Sequence, residues 1–143
     1  MSAWLRCLIL VAALLPAAIG ARESPSHERH ESKSEERAVL ERYQANYKGL
    51  KALIAEATKL QTDYLEGGDL AAFQKAGATW EARTTQFLRK NLAPLYANEF
   101  AHAKYFGPDL PAGQAPKARA AYQRIEARKV ALKAYTTELR KPD

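Results

Sequence analysis

The stretch LERYQANYKGLKALIAEATKLQTDYLEGGD, Leu40 to Asp69, decides the fold. Leu40, Tyr43, Tyr47, Leu50, Ile54, Ala57, Gln61 and Tyr64 recur at alternating spacings of three and four, the period of one helix face. Leu53, Leu60 and Leu65 widen the stripe. The run is too regular for a loop and shows none of the alternation of a strand, so it predicts one long amphipathic helix with coiled-coil-like spacing. Gly67-Gly68 ends it, because glycine takes the left-handed conformation that closes a helix. Asp69 is placed to cap the next one.

Downstream, Leu70, Phe73, Gly77, Trp80, Thr84 and Phe87 repeat the alternation, joined by Leu88 and Leu92. Gly77 lies mid-seam, where glycine costs about 1 kcal/mol of helix propensity relative to alanine. It is expected to admit a close neighbour, such as a tyrosine of the first helix. Pro94 removes a backbone donor and should break the helix. A post-proline extension from Leu95 to Phe106 would then bring the second arm to the length of the first. Gly107 to Pro116, with three prolines and two glycines, reads as a loop. Ala118, Ala121, Ile125, Leu132 and Leu139 form the stripe of a last helix. The expected fold is all-α, an up-down antiparallel bundle of three long helices, or four if the break at Pro94 is counted.

Upstream, the chain reads as three segments. MSAWLRCLILVAALLPAAIGA carries a cation at Arg6, an apolar run from Cys7, the helix breaker Pro16, and small residues at Ala18 and Gly20. This pattern predicts a secretory signal peptide over residues 1–20, cleaved after Gly20. Pro16 and Arg22 leave the apolar stretch short of the roughly 20 residues that cross a bilayer. Residues 21–33 are polar, charged with both signs and without large apolar side chains, so they predict a disordered leader. The folded domain is expected over 34–143, with Ser32 or Ser34 near its first turn.

These features bound the function. Cleavage would remove Cys7, the only cysteine, and with it any disulfide or thiolate chemistry. No Asn-x-Ser/Thr acceptor is present, and both absences favour a bacterial envelope protein, periplasmic or secreted. After Ser34 there is no serine, which excludes the commonest hydroxyl nucleophile from the folded part. There is no phosphate-binding glycine loop and no CxxCH haem attachment site. The reading is therefore non-enzymatic and cofactor-free.

Four residue groups retain some chemistry. His27 and His30, with Glu28 and Glu31, carry metal-ligating atoms within the polar leader. Glu99 and His102 form one ExxH, half of the arrangement that di-iron carboxylate bundles need. Asp63, Glu66 and Asp69 gather at the glycine turn. Tyr43, Tyr47 and Tyr64, with Trp80, are candidates for lining a ligand cavity, although core packing explains them equally well.

The charge distribution is sharper. Residues 21–115 hold thirteen Lys or Arg and thirteen Asp or Glu, whereas 116–143 hold eight and three. At about 100° per residue, Lys117, Arg124 and Arg128 flank one side of the last stripe and Lys129, Lys133 and Arg140 the other. Such cations snorkel around a buried stripe or offer a face to polyanions. Export would make anionic phospholipid, lipopolysaccharide or an acidic protein the accessible partners, and exclude chromosomal nucleic acid. The function expected is interaction with a protein or an anionic surface, with self-association through the first helix as a further route. The alternative is a small-ligand or metal-binding bundle. An interaction protein should show an open apolar groove; a ligand carrier should show a closed cavity near Gly77 and Trp80.

Overall fold

A computed structural model describes the backbone of residues 25–107 and 115–139, with side chains from Lys33 onward. The proposed signal peptide and its cleavage point, the first residues of the leader, most of the proline-rich loop and Arg140 lie outside the described residues. The described chain is all-helical: α1 Pro25–Gly67, α2 Leu70–Asn91, α3 Pro94–Ala101 and α4 Pro116–Glu138. No strand occurs among the described residues.

Helix α1 starts earlier than the sequence suggested. The leader expected to be disordered over 21–33 is helical from Pro25, a residue suited to a first helical position. The Glu, Arg, Lys and His that follow are adequate helix formers, so the helix extends backward from its packed part at little cost. The contacts described below lie within the unit Glu36–Asp143.

At the other end the local signals act as read. Gly68 has φ of 71° and its N–H donates to the Tyr64 carbonyl at 2.8 Å. Asp69 caps α2 by accepting from the Ala72 N–H at 3.0 Å. Helices α1 and α2 therefore run antiparallel, and contacts along their length fix the register. Tyr64 stacks on Phe73 with ring centres 4.6 Å apart. The Trp80 indole N–H donates to the Leu53 carbonyl at 3.0 Å, and Asn46 donates to the Asn91 carbonyl at 2.9 Å.

Pro94 does not extend the second arm; it reverses it. Leu92 and Ala93 leave helical geometry, Ala93 being extended at φ −161° and ψ 158° as a residue before proline prefers. Helix α3 then folds back along α2, and Phe100 meets Trp80 edge-on at 5.7 Å. Helix α4 follows α2 in the same direction: Tyr122 lies near Phe73, Ile125 against Gly77, and Arg128 on Glu81.

The core gathers Leu50, Leu53, Ala57, Phe73, Trp80, Leu88, Phe100, Ile125, Leu132 and Tyr135. Gly77 does admit a close neighbour, but it is Ile125 of α4, 3.1 Å from where a Cβ would stand, and not a tyrosine of α1. The close approach of α1 to α2 occurs instead at Gly49, where a Cβ would meet the Phe87 ring at 2.5 Å. Two expected stripe residues are exposed, Leu40 at 41% and Leu65 at 52%. Leu40 lies beyond the level of Asn91, where α2 ends, and Leu65 lies on the last turn before the glycine pair.

Candidate functional site

The polar features converge on Glu81. It follows Trp80 and stands four residues after Gly77, so the α2 stripe carries it into the interface with α4, where it is only 8% exposed. Arg124 grips it as a fork, Nε donating to Oε1 at 2.8 Å and Nη2 donating to Oε2. Arg128 donates Nη1 to Oε1, and its Nε and Nη2 reach the carbonyls of Phe100 and Ala101, each at 3.3 Å. Those carbonyls lie at the C-terminal end of α3, where the Phe100 carbonyl also accepts from the His102 and Ala103 N–H groups. The Arg128 guanidinium also lies 5.5 Å from the Phe100 ring centre. Burial pushes the Arg128 guanidinium below the usual arginine value, and Glu81 opposes the shift.

A second polar group joins α1 to α4. Lys129 donates Nζ to Gln61 Oε1 at 2.5 Å and pairs with Glu126 at 2.5 Å, while Gln61 donates to the same carboxylate at 2.9 Å. Burial alone raises the Glu126 carboxyl, but the hydrogen bonds from Lys129 and Gln61 outweigh it and hold the group below the usual carboxylate range.

The proposed polyanion face is therefore redistributed. Arg128 and Lys129 are not surface cations: their side chains are 13% and 10% exposed and satisfied by internal acceptors. Lys129 lies four residues past Ile125 and three before Leu132, which puts it on the stripe and not beside it. Arg124 is engaged by Glu81 while staying 61% exposed, and Lys117 and Lys133 face solvent. Glu99 on α3 and His102, the residue that caps its C-terminus, are both exposed, and the His102 ring Nδ1 sits 2.8 Å from the Asn98 carbonyl. The described residues contain no group of three or more His, Cys, Asp or Glu able to hold one metal ion. Asp63 is paired with Lys59, and Asp69 serves as the cap.

Tyr135 closes the other end of α4. It is 4% exposed, donates to the Tyr96 carbonyl at 3.2 Å and meets the Tyr96 ring edge-on at 4.8 Å. Burial, followed by the nearby carboxylates of Glu99 and Glu138, pushes its hydroxyl up to about 12. The folded state thus holds the proton more tightly than the unfolded chain, and this contribution, full below the ordinary tyrosine value of 10.0, is lost as pH rises toward 12. Tyr135→Phe should therefore flatten the loss of thermal stability across that alkaline window; an unchanged slope in melting curves would remove Tyr135 as its source.

Two open grooves lie beside these features. The first, about 530 Å³, follows the seam of α1 and α2. Leu60, Ala72, Ala76 and Trp80 line it, with the ion pairs Arg83–Glu56 and Lys59–Asp63 on its walls. The second, about 390 Å³, lies between α2 and α4. Tyr43 and Tyr47 are half-buried, Tyr64 stacks on Phe73, and Trp80 packs against Phe100 and donates to the Leu53 carbonyl.

Glu81 is the residue that sequence reading missed, although its signal was present: it is the one carboxylate at a stripe position of α2, seven residues before buried Leu88. No family model, no curated protein and no solved structure matches the chain.

Proposed function

We propose that the chain is an exported, non-catalytic helical-bundle protein of the bacterial cell envelope that acts by binding a partner protein along its α1–α2 face. The observation that supports this reading is the open groove along that seam, apolar at Leu60, Ala72, Ala76 and Trp80 and walled by paired charges. An apolar floor with a polar rim is the anatomy of a protein interface. The anionic-surface reading has less to support it, because Arg128 and Lys129 are turned inward and Arg124 already holds a carboxylate. Periplasmic residence follows from the signal-like residues 1–20, and mass spectrometry of the exported protein should find a chain beginning at Ala21.

Photo-crosslinking in living cells tests the interface. A benzophenone side chain at Ala76, inside the groove, should give a discrete protein adduct, and the same group at exposed Ala134 on α4 should not. Equal adducts from both positions, or none from Ala76, would count against the reading.

A further inference from the structure

The groove between α2 and α4 has a different chemistry from the α1–α2 seam. Its floor is Phe73, Gly77, Ala78, Ala120, Ala121 and Ile125, and the missing and small side chains on both helices create the depression. Lys117 and Arg124 stand over it from α4, seven residues and about 10 Å apart along the helix. Charge is not balanced at this wall. Glu81 is one carboxylate facing Arg124 and Arg128, and Arg128 spends its remaining donors on the α3 carbonyls. Lys117 has no ion-pair partner among the described residues. Of the charged groups that line the trough, Arg124 is paired with Glu81, and Lys117 is left as one uncompensated cation at its solvent edge.

We propose that this groove binds an amphipathic anion, specifically a single-chain fatty carboxylate, with the chain laid along the Gly77–Ala121 trough and the head group at Lys117. The volume of about 390 Å³ falls in the range of small-ligand sites. The apolar floor contributes by area, and the cation contributes selection by head-group charge. This proposal stands apart from the protein-partner reading, since Ala78 and Lys117 are not in the α1–α2 seam and their substitution leaves that seam intact.

The test is an NMR amide titration of the mature protein, Ala21 to Asp143, with decanoate below its micelle concentration, beside decyltrimethylammonium, which has the same chain and the opposite head charge. Decanoate should give saturable shifts centred on Gly77, Ala78, Ala120 and Ala121, and decyltrimethylammonium should not. Ala78→Trp fills the trough from an exposed position and should weaken decanoate at least 10-fold. Lys117→Glu changes only an exposed charge and should weaken it several-fold, with both variants checked for unchanged circular dichroism. Equal binding of the two head groups, shifts elsewhere on the chain, or unchanged affinity in both folded variants would overturn the proposal.

Discussion

Trp80→Ala is expected to cost about 3–5 kcal/mol of folding stability, the range for truncating a fully buried aromatic. The side chain is 1% exposed and sits where three helices meet: it donates to the Leu53 carbonyl of α1 at 3.0 Å and packs edge-on against Phe100 of α3 at 5.7 Å. Removing it leaves a void lined by groups that cannot collapse independently. In a chain of this size the melting temperature should fall by more than about 10 °C. Trp80→Phe keeps most of the apolar area and loses the indole donor, so its cost should be nearer 1 kcal/mol. Thermal unfolding followed by circular dichroism reads both. A fall of only a few degrees for Trp80→Ala would mean that α3 does not fold back onto α2 as described.

Glu81→Ala should be comparably severe, for an electrostatic reason. Its carboxylate is the counter-charge to Arg128, whose side chain is 13% exposed. Breaking a buried pair by deleting one partner leaves the other charge uncompensated, which costs about 3–5 kcal/mol. The Arg124 side of the same cluster is 61% exposed, so Arg124→Ala should cost less than about 1 kcal/mol. Adding Arg128→Met to Glu81→Ala removes the stranded charge and should recover much of the loss. If Glu81→Ala costs no more than Arg124→Ala in denaturant unfolding, the pair is not buried and the cations of α4 are again candidates for a surface role.

Those two residues also mark the limit of what the sequence conveys. The Gly67-Gly68-Asp69 turn was legible because closure, reversal and capping all depend on groups within a few positions of one another. The break at Pro94 was legible for the same reason, but its direction was not: the fold-back depends on the two residues Leu92 and Ala93 and on what Phe100 finds to pack against. Helical periodicity identified the basic helix without revealing its counter-charges. Arg128 is satisfied by Glu81, 47 positions away, and Lys129, whose ion-pair partner Glu126 lies three residues back on its own helix, also reaches Gln61, 68 positions away. Pairing across that separation is set by how helices seat, and spacing along one helix carries no record of it. A carboxylate at a stripe position, as Glu81 is, was the available hint that some cations of another helix would turn inward.

The basic surplus of α4 is thus in part structural, and the function proposed rests on the α1–α2 seam. Cysteine accessibility tests that most directly, because the chain has no cysteine after Cys7 and a single reporter gives an unambiguous signal. Ala76→Cys places a thiol in the groove, and Ala134→Cys places one on the exposed side of α4. Maleimide labelling rates would be compared for each variant, purified and in intact envelopes. Several-fold protection of the groove thiol in the envelope is expected, with no change in rate for the α4 thiol; unchanged rates for both thiols would contradict a partner on that face.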